Sequence, residues 1–172
     1  MKLKRPSALA GAFLLILSCT VAQAPSPASP KQLVAVVELA KGGSFIIALR
    51  PDQAPNTVAN FVAKSKDRKY DGLTFHRVED WVVQGGDPTG NGTGGGKMPS
   101  ELNQLPFKVG AVGVARGPDI KINNDHQWFV TKKDASWLNG QYTNFGQVTS
   151  GMDVVNGIRI GDVIKTVRIE ER

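Results

Sequence analysis

The sequence predicts a mainly β domain, a barrel or sandwich with helical plugs, and three observations carry that prediction. Short runs rich in Val, Ile and aromatic residues recur along the chain, Gly-rich segments connect them, and apolar residues take up helical spacing at just two places. The 172 residues, with 41% hydrophobic content, suit one domain with a real core plus a short processed segment.

The elements follow in order. Lys2, Lys4 and Arg5 precede an apolar run from Ala8 to Leu17, so residues 1–24 read as a signal peptide, too short to span a bilayer. Two cleavage chemistries fit. Ile16-Leu17-Ser18-Cys19 resembles a bacterial lipoprotein box, which would make Cys19 the lipidated first residue, and Ala22-Gln23-Ala24 is an ordinary A-x-A site. Either implies export to the periplasm or cell envelope, with membrane attachment only through a lipid at Cys19. Residues 25–31, with alternating Pro25, Pro27 and Pro30, form an extended tether, and the folded domain spans 32–172.

Within that domain Leu33–Leu39 and Ser44–Leu49 flank Lys41-Gly42-Gly43 and read as a β-hairpin. A helix opens near Pro55, where a missing N–H costs nothing, and Val58, Phe61 and Val62 give it one apolar face. Strands are expected at Leu73–Val78, Trp81–Gln84, Val109–Ala115, Gln127–Thr131 and Thr143–Val148. A short helix over Met152–Ile158 and a strand over Val163–Ile169 complete the chain. The irregular stretch from Gly85 to Phe107 is long for a compact domain, and loops of that length tend to be functional.

Composition excludes several function classes. Cys19 is the only cysteine, so the mature domain has no disulfide or thiol chemistry. Without Lys2, Lys4 and Arg5 the 21 basic residues become 18 against 15 acidic, a net +3 with no basic run to track a phosphate backbone; nucleic acid is not an expected partner. Two histidines, His76 and His126, cannot make a zinc site at the usual spacings. There is no G-x-S-x-G elbow. Gly90-x-Gly92-x-x-Gly95 matches a dinucleotide fingerprint, but Lys97-Met98-Pro99 breaks the helix that should follow. No metal and no cofactor is expected.

What remains is Tyr70-Asp71-Gly72-Leu73-Thr74-Phe75-His76-Arg77, then Val82-Val83-Gln84-Gly85-Gly86-Asp87-Pro88 and a glycine run. This resembles the cyclophilin pattern Y-D-G-x-x-F-H-R, V-x-Q-G-G-D-P and its Gly-rich loop. Val112 to Arg116, Gln127 to Val130, Trp137 to Tyr142 and Phe145 to Val148 resemble further family segments in the right order, so the resemblance covers residues 33–170. It implies a closed eight-stranded antiparallel barrel capped by two α-helices, a monomer, and rotation about X–Pro bonds of unfolded or exported proteins. The alternative is a chaperone or binding module that holds proline segments without turnover.

Rotation breaks no bond, so no acid, base or nucleophile is needed. The amide barrier is roughly 18–20 kcal/mol, and acceleration from tens of seconds to milliseconds, about four decades, needs about 5–6 kcal/mol of it removed. A guanidinium donating to the twisted amide does this, because it is a fixed fork that stays charged. By resemblance Arg77 has that role, Gln84 orients it, and Phe129, Val82 and Leu138 form the slot for the proline ring, with Trp81 at its edge. Ala115, Arg116 and Gln127 match positions that meet the peptide, and Trp137 and Tyr142 match the outer wall, Trp137 being where cyclosporin contacts the family. His76 is expected to point away from the site.

The chain departs from the pattern in places. One residue fewer stands between Arg77 and Trp81, so the assignments of Val82 and Gln84 depend on the strand staying in phase. Trp81 stands for the usual Phe, His126 for Ser or Gly, Trp128 for Phe and Arg116 for Asn.

Overall fold

The computed structural model describes residues 31–172; the expected signal peptide, its two candidate cleavage sites and nearly all of the expected tether lie outside the described residues. Lys31–Arg172 form one compact unit. Nine strands make one antiparallel sheet: β1 (Leu33–Leu39), β2 (Ser44–Leu49), β3 (Phe75–Val78), β4 (Val82–Gly85), β5 (Lys97–Pro99), β6 (Ala111–Arg116), β7 (Ile122–Thr131), β8 (Asn144–Ser150) and β9 (Ile164–Glu171). Eight of them follow the path β3-β4-β7-β6-β8-β2-β1-β9, and β5 pairs with β7 beside it.

The expectation of a closed barrel is corrected here. The path curls until its ends approach, but β3 and β9 share no ladder, and the sheet is open. The segments Leu73–Thr74 and Asp162–Val163 meet at one isolated bridge, Thr74 with Val163, and the strands beyond it do not pair. A few crossings such as Ile164 N–H to Leu73 O at 2.8 Å hold that seam.

Period-two alternation turns one side chain of each strand inward and the next outward. Val37, Phe45, Ile47, Val83, Val112, Val114, Trp128 and Val130 fill the inside of the curl. Trp128, which replaces a phenylalanine of the family pattern, is therefore a core residue, edge-on to Phe61, Tyr70 and Phe75. Helix α1 (Pro55–Lys66) covers this core with Val58 and Phe61. Its N-terminus has no side-chain cap of its own; Glu101 supplies one, its carboxylate accepting from the backbone N–H of Asn56 and Thr57 at 3.0 and 2.8 Å. Helix α2 (Met152–Asn156) is shorter than expected, with Val155 and the following Ile158 buried.

Strand β7 begins five residues before the expected Gln127. Its first half, Ile122 to His126, is polar and has no strand pattern of its own; it extends because Lys97–Pro99 pairs against it.

Candidate active site

The outward faces of β3, β4, β6 and β7 line one cleft. Val82 and Gln84 point outward because Val83 points in, and Phe129 does so because Trp128 and Val130 point in. With Phe107, Ala111, Ala135 and Leu138 of the short 3-10 turn Ser136–Leu138, Val82 and Phe129 form a second apolar cluster, separate from the core inside the curl. Above it opens a cleft of about 420 Å³. Phe129 is its fixed wall: it stacks on Phe107 at 5.7 Å and 23°, and Tyr142 meets it edge-on at 5.8 Å.

Nine of the eleven residues singled out from the sequence line this cleft: Arg77, Trp81, Val82, Gln84, Ala115, Arg116, Phe129, Leu138 and Tyr142. Gln127 lies in an adjoining hollow of about 280 Å³ with Gln84, Gly92, Ala115 and Arg116. Trp137 stands on the rim, 60% exposed, edge-on to Trp81 at 5.4 Å. The shortened β3–β4 turn does not shift the register, since Arg77 pairs with Gln84 and Val78 with Val83.

A relay of amides holds the arginine. The carbonyls of Gly92 and Gly94 accept from Gln127 Nε2 at 3.1 and 2.8 Å, and Gln127 Oε1 accepts from Gln84 Nε2 at 2.9 Å. Gln84 Oε1 then accepts from Arg77 Nη1 at 3.2 Å. Each amide accepts at its oxygen and donates from its nitrogen, so donation runs in one direction, from the guanidinium to the glycine-loop carbonyls. Arg116 is used differently. It lies over the Tyr142 ring, 4.3 Å from its centroid, and donates from Nε to Gln141 O at 2.9 Å and from Nη1 to Gly117 O at 2.9 Å, which makes it a wall.

The glycine loop is organised by Asp87, which is fully buried. Burial pushes its carboxyl up, but donation from Thr89 and Gly92 N–H and the Thr89 hydroxyl outweighs that and holds it below the usual carboxylate range. Gly86 at φ +80° is required there: a Cβ would stand 2.8 Å from His126 O and 2.9 Å from Trp128 Nε1.

His76 does not point away, as the alternation predicts; it lines the cleft with Asn91 and Gly92. A β-bulge is the reason: between Phe75 and Arg77 β3 advances two residues while β4 advances one, so His76 falls out of phase. Burial pushes the imidazole below its ordinary pKa of 6.5, with Asp87 opposing and Arg77 assisting, and neither ring nitrogen has a partner among the described residues. Asn91 and Gly92 were equally missed; the length of the Gly85–Phe107 loop was the one signal for them.

Comparison with known proteins agrees with this geometry. The family described as cyclophilin type peptidyl-prolyl cis-trans isomerase/CLD matches residues 34–172. Peptidyl-prolyl cis-trans isomerase B of Bacillus subtilis (strain 168) is 41% identical over 137 residues, covering 77% of this chain and 94% of that protein. A probable peptidyl-prolyl cis-trans isomerase of Brucella suis biovar 1 is 39% identical over 170 residues, covering 90% and 85%. Among solved structures, a cyclophilin type peptidyl-prolyl cis-trans isomerase of Cryptosporidium parvum, crystallised in the presence of the dipeptide Ala-Pro, superposes with a TM-score of 0.74 at 26% identity over 81% of this chain and 99% of that one. An apolar slot walled by a stacked phenylalanine, an arginine held at its edge and a match over the whole folded unit lead to one conclusion: the chain belongs to the family of cyclophilin-type peptidyl-prolyl cis-trans isomerases.

Proposed function

We propose that this cyclophilin-type isomerase turns X–Pro bonds by seating the proline ring against Phe129, Val82 and Leu138 and donating from Arg77 to the amide nitrogen as it loses conjugation. In the planar amide the nitrogen lone pair is delocalised into the carbonyl; at the twisted transition state it is localised and accepts a hydrogen bond. An N–H held in place before rotation therefore binds the transition state better than either planar isomer, which is what lowers the barrier. The observation that carries this reading is that the guanidinium is tied to Gln84 at 3.2 Å on the edge of an apolar cleft.

The substrates fitted to this cleft are X–Pro segments in extended chains, with Ala115 and Gln127 beside the peptide and Arg116 and Tyr142 as its flank. The signal peptide read over residues 1–24 supports exported proteins as the clients, met by a monomer in the periplasm or envelope, with a lipid at Cys19 as its one means of membrane attachment. Exposed Trp137 beside Trp81 offers cyclosporin a contact.

The test is a protease-free isomerisation assay on an X–Pro peptide. Wild type is expected to exceed the uncatalysed rate, and Arg77→Ala to lose at least about tenfold in kcat/KM, one decade of the barrier reduction. An Arg77→Ala variant within twofold of wild type would sink the mechanism. The mass of the mature N-terminus separates lipidated Cys19 from cleavage after Ala24, and a retained leader defeats the export reading.

A further inference from the structure

The turn between β3 and β4 carries a carboxylate that the reaction as described does not use. Glu79 lies between Arg77 and Trp81 and bridges them: Oε1 accepts from Arg77 Nε at 2.7 Å and Oε2 accepts from Trp81 Nε1 at 2.9 Å. The Arg77 guanidinium also lies over the Trp81 ring, 5.5 Å from its centroid, so arginine, carboxylate and indole form a closed ring of contacts. The backbone beneath is pinned as well. Glu79 N–H donates to Val82 O at 2.8 Å, Lys132 N–H to Trp81 O at 2.7 Å, and Lys132 Nζ to Glu79 O at 2.9 Å.

This arrangement has a direction. A guanidinium held at one nitrogen swivels about that contact; held at Nε by Glu79 and at Nη1 by Gln84, its plane is defined. The Nη2 donors and the second Nη1 hydrogen remain for a ligand. Stability alone gives little reason for the ion pair, because both side chains are more than two-fifths exposed and such pairs contribute weakly. A phenylalanine, which the family pattern usually places there, would have no N–H to offer the carboxylate.

We propose that Glu79 is a positioning residue for the isomerisation, its one carboxylate fixing the Arg77 guanidinium and the Trp81 wall of the slot as a single unit. The inference rests on Arg77 being the donor to the twisting amide. Glu79 touches no substrate; it acts by removing orientations of Arg77 and Trp81 that point away from the cleft.

The test uses the mature protein with Glu79→Gln, Trp81→Phe, Arg77→Ala and the Arg77→Ala/Glu79→Gln pair. For each, kcat and KM on an X–Pro peptide, the melting temperature and the indole and guanidinium N–H resonances are measured. Glu79→Gln is expected to lower kcat roughly tenfold, as loosened alignment does, while KM stays within about twofold. The melting temperature should move by less than about 2 °C, the scale of an exposed pair. The Trp81 indole resonance should shift upfield as its charged acceptor is lost, and Trp81→Phe should lower kcat in the same direction. In the Arg77→Ala background Glu79→Gln should cost nothing further. A fully active Glu79→Gln beside an inactive Arg77→Ala overturns this inference alone. So does an equal loss from Glu79→Gln with and without the arginine. An Arg77→Ala variant as active as wild type overturns the mechanism and this inference together.

Discussion

Gly113 allows the most direct test of the slot. It pairs with Phe129 across β6 and β7, and its missing side chain is what lets Phe129 lie flat on Phe107. A Cβ there would stand 2.4 Å from Phe129 Cζ and 2.7 Å from Phe107 Cε1, where ordinary contact begins at 3.4 Å. The Phe129 ring edge must therefore move by about 1 Å to restore contact. Phe107 blocks one direction and Tyr142 another, so the free direction is the cleft itself. Gly113→Val adds two more methyl groups in a strand that favours them, so the backbone raises no objection. Overpacking of this kind costs about 1–3 kcal/mol, which lowers the melting temperature by several degrees. A reacting centre misplaced by about 1 Å costs on the order of 100-fold, so kcat/KM is expected to fall between about 10- and 100-fold. Protease-free isomerisation and thermal unfolding read the two effects separately. Adding Phe129→Leu removes the ring tip that clashes, so the double variant should be more stable than the sum of the single effects. A folded Gly113→Val with kcat/KM within twofold of wild type, or strict additivity of the pair, would refute the reasoning.

The relay and the titrating groups give two further expectations. Gln127→Leu removes one donor from the Gly92 and Gly94 carbonyls, leaves Gly94 O to Asn124 Nδ2 at 2.9 Å, and releases Gln84, so stability should fall by about 0.5–1.5 kcal/mol and kcat/KM several-fold, while Gln127→Glu, which keeps the acceptor for Gln84, should retain more activity; melting curves and the same assay check this. Activity should be level through neutrality, because Arg77 holds the Glu79 carboxyl below the usual carboxylate range by its hydrogen bond and burial keeps His76 neutral. The sign for His76 follows from linkage: the unfolded chain takes up its proton near 6.5 and the folded chain only at lower pH. Its stabilising contribution is thus fully present above 6.5 and is lost as pH falls toward the lowered folded value; His76→Gln should flatten that part of a melting-temperature profile.

The hairpin of β1 and β2, helix α1 and the alternation of Val82, Val83 and Gln84 were legible because each depends on neighbours within a few positions. So was the apolar slot, once Phe129 and Leu138 were matched to a family pattern. The bulge at His76 was not legible, since Phe75-His76-Arg77 alternates in sequence and only pairing with β4 throws the histidine out of phase. Nor was the strand character of Ile122 to His126, which exists because a three-residue partner lies against it.

The sequence by itself determined eight of the nine described strands and both α-helices, the absence of thiol chemistry from the domain, and the residue types around Arg77, because periodicity and motif are local properties. The tertiary structure decided the rest. It left the curled sheet open at Thr74 and Val163, turned His76 into the cleft, and aligned Gln127, Gln84, Arg77, Glu79 and Trp81 in one hydrogen-bonded chain. The Thr74–Val163 bridge and the Gln84–Gln127 bond join segments tens of residues apart, and the bulge and the Arg77, Glu79 and Trp81 contacts, though close in sequence, depend on how β3 and β4 pair; no local pattern encodes which donor meets which acceptor.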